Sequence, residues 1–165
     1  MIIIKQYIDI ETTGLSRERN SVTVIGIYTG DEVIQFVNGI DLTEDSLNDV
    51  IKKAKDMVTF NGKRFDIPFL AHKYPNIDFK SAQHHDLMYT CRKHNLTGGL
   101  KKIENMLGIS RDSGISDGRE AVRLWRRYQR GCTNSLNKLL EYNREDIINL
   151  KHIEDIIDQK EKENN

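Results

Sequence analysis

Hydrophobic positions in the first half of the chain follow the spacing of strands, and those in the second half mostly the spacing of helices. Residues 2–11 are dominated by β-branched and aromatic side chains and read as a strand. Residues 22–29 and 32–38 read as two more, joined by the tight turn Thr29-Gly30-Asp31. Thr43 suits the N-cap of a helix running to about residue 55. Residues 57–60 read as a short buried strand and Asn61-Gly62 as a turn. A helix over 66–73 follows, with Pro68 in its tolerant first turn. Further helices fall near 86–94, 99–107, 117–130 and 134–158, punctuated by Gly98-Gly99, Gly108, Gly114 and Gly131. Strands first, helices later and one strand between helices predict an α/β fold, a mixed sheet with helices on both faces.

Length and charge narrow the reading. The 165 residues suffice for one domain, expected over 1–158, with the polar stretch 159–165 expected to fray. The 25 basic and 25 acidic side chains cancel, so no global field draws in a polyanion. A nucleic-acid partner must then be met by a local basic surface or through metal ions. Cys91 and Cys132 lack CxxC or zinc-type spacing, which predicts ordinary thiols in a reducing compartment. The apolar opening is broken by Lys5 and Asp9, too early for a signal core or a membrane span. A cytoplasmic protein is the expectation, with no membrane and no obligate protein partner.

Three groups of acids carry the candidate chemistry. Asp9 and Glu11 lie on one face of their strand, Ile8 and Ile10 on the other. Two carboxylates side by side repel, and a hard divalent cation is the natural charge between them. The plainer alternative is a solvated strand end. Asp66 lies between a strand and a helix and by itself suits a helix N-cap. Tyr142 and Asp146 stand four apart in the C-terminal helix, on a face continued by Leu139, Leu150 and Ile153. An acid in an apolar stripe is costly unless compensated, the plainer alternative being a boundary carboxylate paired with Arg or Lys.

Taken in order, Asp9-x-Glu11-Thr12-Thr13-Gly14, Asn61-Gly62-x-x-Phe65-Asp66 and Tyr142-x-x-x-Asp146 closely resemble the three exonuclease motifs of the DEDD superfamily. The tyrosine four residues before the last aspartate resembles the DEDDy branch, which includes proofreading domains of DNA polymerases. His85-Asp86-Leu87 and Gly99-Leu100-Lys101-Lys102-Ile103-Glu104 look like small exonucleases related to family B polymerase proofreading domains. The resemblance runs from residue 2 to about residue 155. It implies a ribonuclease-H-like fold, a five-stranded mixed sheet flanked by helices, whose fifth strand lies around 80–86. It also implies that Asp9, Glu11, Asp66 and Asp146 hold two divalent metal ions, Mg²⁺ or Mn²⁺, and that Tyr142 hydrogen-bonds the attacking water. Thr12, Thr13, Leu15, Asn61 and Phe65 would contact the terminal nucleotide, although Phe65 alone reads equally well as a core side chain. The implied activity is a 3′–5′ exonuclease acting on the 3′ end of single-stranded DNA or RNA and releasing nucleoside 5′-monophosphates. The alternatives on such a fold are a structure-selective endonuclease, a non-catalytic nucleic-acid-binding module, and a phosphatase or nucleotide pyrophosphatase. Clustered acids facing a polyanion argue against a pure binder.

Two further features have a structural and a functional reading. The helix at 117–130 places Ala121, Leu124, Trp125 and Tyr128 at core spacing and carries Arg119, Arg123, Arg126, Arg127 and Arg130 elsewhere. Those arginines suit either a solvated face or a phosphate-tracking surface, which Lys63 and Arg64 can join. His84-His85-Asp86 lacks the spacing and the fourth ligand of a zinc site, so its residues are read as structural.

Overall fold

The alternating direction of side chains in the first strand, which is covered on both faces, sets the layering of the molecule. The computed structural model describes residues 4–115 and 117–164; residues 2 and 3 of the first expected strand and Asn165 of the polar tail lie outside them. Strand β1 (Ile4–Thr12) turns Ile8 and Ile10 into one side of the sheet and Tyr7, Asp9 and Glu11 to the other. Strands β2 (Val22–Tyr28) and β3 (Val33–Val37) extend it antiparallel, and β4 (Ala54–Thr59) and β5 (Gln83–Asp86) extend it parallel. The order is β3-β2-β1-β4-β5, a five-stranded mixed sheet with β1 at its centre.

Helices α1 (Glu44–Ile51) and α2 (Asp66–Lys73) cover the side of Ile8 and Ile10, packing Leu47, Ile51, Phe69 and Leu70 against Ile25, Ile27 and Met57. The other side receives α3 (Leu87–Lys93), α4 (Leu100–Leu107), α5 (Gly118–Gln129) and α6 (Thr133–Glu163). Helix α6 spans two clusters on that side. Leu136 and Leu139 pack with Leu124 and Trp125 of α5, whereas Leu150, Ile153 and Ile157 pack with Cys91, Ile103 and Val58. Asp146 lies between these two apolar stretches, over the centre of the sheet.

Several boundaries differ from the sequence reading, each for a tertiary reason. Helix α1 stops at Ile51 rather than near residue 55, because residues from Ala54 onward pair with Ile4–Tyr7 in the parallel ladder. By contrast, the fifth strand expected around 80–86 from the family resemblance is present as Gln83-His84-His85-Asp86; it pairs with residues 56–59 of β4, a constraint no local hydrophobic pattern reveals. Asp66 does not act as an N-cap: Phe65 holds that position without a side-chain bond, and the Asp66 carboxylate reaches across to β1. Helix α6 continues to Glu163, into the polar stretch expected to fray.

Candidate active site

The end of β1 is irregular, and the irregularity opens a cavity. The β1–β2 register shifts between Glu11 and Thr12, and the β1–β4 pairing ends at Tyr7 opposite Val58. Beyond that point the Ile10 N–H has lost its strand partner, and it donates to Asp66 Oδ1 at 3.1 Å. The first residue of α2 thereby takes the place of the missing ladder bond. Asp66 is itself placed by the preceding turn. Asn61 sits at φ 60°, and Asp86 gathers the N–H groups of Asn61 at 2.7 Å, Lys63 at 3.1 Å and Met88 at 3.1 Å. Asp86, read as structural, thus ties the turn after β4 to the end of β5.

Helix α6 closes the site from the other side. Asp9 stands opposite Gly26 of β2, and a Cβ at Gly26 would lie 2.1 Å from Asn143 Oδ1. Glycine is needed there so that α6 can press against the sheet. Asn143 is fully buried; its Nδ2 donates to the Asp9 carbonyl and to Asp9 Oδ2, both at 3.2 Å, while its Oδ1 accepts from Gln35 Nε2 at 3.0 Å. Neighbouring Tyr142 and Asp146, one turn apart, point at the same carboxylates.

Asp9, Glu11 and Asp146 each bring an oxygen within 4.8 Å of the others. Asp66 and Tyr142 line the same cavity, about 840 Å³ in volume and open to solvent. Of the other residues implied by the motifs, Thr12, Leu15, Asn61 and Phe65 also line it. Leu15 is 86% exposed at its rim. Phe65 meets both of its readings, facing the cavity while packing its ring at a tilt against Phe69. Thr13 is not among the lining residues, and its hydroxyl accepts the Ser21 N–H. The N-terminal end of α5 supplies further wall, with the cap residue Asp117 and the helix residues Gly118, Arg119 and Val122.

The electrostatics of this pocket are unbalanced. Burial, then the neighbouring charges of Asp146, Glu11 and Asp66, hold the Asp9 carboxyl well above the usual range. Glu11 is raised for the same reasons, burial first and Asp146 next, and its Oε1 is buried without a partner. Burial lifts Asp66 to about 7 against the opposing Ile10 N–H bond. Asp146 is also raised by burial, with Arg111 and Lys101 pulling it back. Tyr142 is pushed far above neutrality by burial and by Asp146, Glu11 and Asp9, so its hydroxyl keeps its proton.

Two cations in the site were not singled out for it by sequence. Lys101 donates to the Tyr142 hydroxyl at 2.6 Å and stands 4.2 Å from its ring centre. Arg111 bonds Asp146 through Nη2 and is gripped by Glu104, Nε to Oε2 at 2.6 Å and Nη2 to Oε1 at 2.7 Å. Asn149 completes this second layer by donating to Glu104 Oε1 at 3.1 Å. A glutamate on the buried side of α4 beside Ile103 was the available signal for the pair. Arg111, lying between helices, carried none.

Comparison with known proteins places this architecture. A family model of the RNase H superfamily matches residues 6–157. The chain belongs to the RNase H superfamily. No curated protein matches it. Among solved structures, this RNase H superfamily member superimposes on the family B DNA polymerase of Pyrobaculum calidifontis with a TM-score of 0.70 at 16% identity. That match covers 89% of this chain but only 23% of the polymerase. Brucella melitensis NrnC with bound Mg²⁺ matches at a TM-score of 0.64 and 22% identity, over 98% of this chain and 75% of NrnC. NrnC bound to pGG matches at 0.65 and 23%, with the same coverage.

RNase H superfamily nucleases use divalent metal ions, and the donor set here fits such an ion. Hard carboxylate oxygens converge, like charges are buried together, and Glu11 Oε1 has no hydrogen-bond donor of its own. Among the described residues no helix is long and apolar enough to cross a membrane.

Proposed function

We propose that this RNase H superfamily member is a 3′–5′ exonuclease of the DEDDy type, hydrolysing phosphodiester bonds at the 3′ end of single-stranded DNA or RNA. The observation that carries the reading is the convergence of Asp9, Glu11 and Asp146 within 4.8 Å at a cavity also lined by Asp66 and Tyr142. These residues come from both ends and the middle of the chain, in the order and on the elements the motifs require. The bound Mg²⁺ and pGG of NrnC, a protein of the same fold, support the choice of metal and substrate class.

In this reading Asp9, Glu11, Asp66 and Asp146 hold two divalent ions, Mg²⁺ or Mn²⁺. When bound, such ions lower the pKa of an attacking water, screen the phosphate charge and stabilise the departing 3′-oxygen. The protein does the positioning. Asn143 and Gln35 fix Asp9, the Ile10 N–H fixes Asp66, and the Glu104–Arg111 pair fixes Asp146. Tyr142 accepts a hydrogen bond from Lys101, which leaves its own O–H free to be donated. Because that hydroxyl stays protonated, Tyr142 orients a water rather than deprotonating it. Leu15 at the rim and Phe65 in the wall offer apolar surface to the terminal base, with Thr12, Thr13 and Asn61 nearby in the same turns. The product is a nucleoside 5′-monophosphate, and the shortened strand keeps a free 3′-hydroxyl.

The test uses 5′-labelled DNA and RNA oligomers, single- and double-stranded, with Mg²⁺, Mn²⁺ or EDTA. A ladder shortening one residue at a time from the 3′ end is expected, abolished by EDTA and by Asp66→Ala or Asp146→Ala. Defined long fragments would instead assign an endonuclease, and normal cleavage by either variant would overturn the site.

A further inference from the structure

Helix α5 joins the cavity to a row of arginines. Arg119, Arg123, Arg126 and Arg130 stand at i, i+4, i+7 and i+11, within about 60° of the helix circumference. All four are exposed, whereas Ala121, Leu124 and Trp125 on the opposite side are buried against α6 and the sheet. The row is roughly 16 Å long at the α-helical rise per residue. Arg127 flanks it and is also exposed. Among the described residues none of these five arginines forms an ion pair with an acid. The chain as a whole has no net charge, so this row is a local concentration of positive charge.

Its position matters as much as its charge. The N-terminal end of α5 is cavity wall: Asp117, Gly118, Arg119 and Val122 all line the pocket that holds the acids. A strand whose 3′ end enters the pocket can leave over Arg119 and meet Arg123, Arg126 and Arg130 in turn. A cavity of about 840 Å³ takes only the terminal residues of such a strand, so the next phosphates need another surface.

We propose that this arginine row is the track for the phosphate backbone upstream of the cleaved residue, making oligomers rather than dinucleotides the preferred substrate. The proposal rests on the exonuclease reading of the cavity. Guanidinium groups on a helix meet phosphates without reading bases, so DNA and RNA strands are held equally by the row.

The test is the triple variant Arg123→Gln, Arg126→Gln, Arg130→Gln, which spares the cavity wall and keeps helix propensity nearly constant. Binding of a labelled single strand of about twelve nucleotides, within the span single-strand grooves cover, is measured against salt with Ca²⁺ replacing Mg²⁺. The log–log salt slope of the variant should be shallower by roughly 2, at about 0.7 per lost phosphate contact. In steady-state cleavage, KM for the long strand should rise at least about tenfold more than KM for a dinucleotide, with circular dichroism and Tm unchanged. Parallel salt slopes, or an equal rise in KM at both lengths, would overturn the track. The row would then be solvated or face an acidic protein. If the wild type cleaves both lengths and the variant matches it, the track alone fails. If the wild type cleaves neither, the exonuclease reading fails with it.

Discussion

Glu104 and Glu11 are both nearly inaccessible glutamates on the same side of the sheet, 1% and 7% exposed, yet they live in opposite environments. Glu104 receives two N–H groups from Arg111 and one from Asn149. Asp86 is likewise saturated, with three backbone N–H donors. Glu11 has an oxygen with no donor and faces Asp9 and Asp146. A buried acid that serves the fold is supplied with fixed donors, because an unpaired buried charge is costly. Acids crowded together, with a Glu11 oxygen left without a donor, make sense when the compensating charge arrives from outside. Burial and like charges raise the affinity of Asp9 and Glu11 for protons, which eases their repulsion when metal is absent.

The same substitution at the two glutamates gives the sharpest contrast. Glu104→Gln takes from Arg111 the carboxylate that grips it at two points, leaving it Asp146 and Glu145, and should cost about 3 kcal/mol in chemical denaturation. A loss below about 1 kcal/mol would put Glu104 with the site acids rather than the structural ones. The pH dependence of the metal-free protein comes next. Asp66 holds its proton up to about 7 in the fold, against an ordinary value of 3.8. The folded state therefore binds more protons than the unfolded chain in that window, and stability falls as pH rises through it. Asp9 and Glu11 act in the same direction. A fall of a few kcal/mol between about pH 4 and pH 7 is expected, since a tenfold change in proton affinity is worth about 1.4 kcal/mol. A flat profile would break the contrast. Mn²⁺ at one hundred times its Kd should restore about 2.7 kcal/mol at neutral pH, read as a rise in Tm. Smallest of all, Glu11→Gln should stabilise the metal-free protein by about 1 kcal/mol while weakening that Mn²⁺ response, the opposite sign to Glu104→Gln.

The unequal visibility of these two groups in the sequence has a physical origin. Asp9 and Glu11 interrupt an isoleucine strand, and Asp146 interrupts an apolar helix stripe, so each breaks a local period and can be seen. Asp66 carries no such mark and is visible only through its place among the three motifs. Arg111 and Lys101 sit among many other basic residues, and nothing local separates a lysine that bonds Tyr142 from one that is solvated. The strand at Gln83–Asp86 has no local pattern for the same reason and was expected only from the family resemblance: its polar residues are ordered by pairing with β4. The end of α1 at Ile51 has no local mark either, because lysine and alanine favour continuing a helix while the sheet captures the backbone from Ala54 onward.

Periodicity along the chain sufficed for the α/β layering and the order of the elements, because side-chain direction follows from local backbone geometry; the four acids and the tyrosine were drawn together only by the resemblance of their ordered motifs. Which acids are satisfied, which are left exposed to one another, and which cations stand beside them was decided only by tertiary packing. Those properties depend on distances between residues far apart in sequence, and a pairwise charge or hydrogen bond has no period to read.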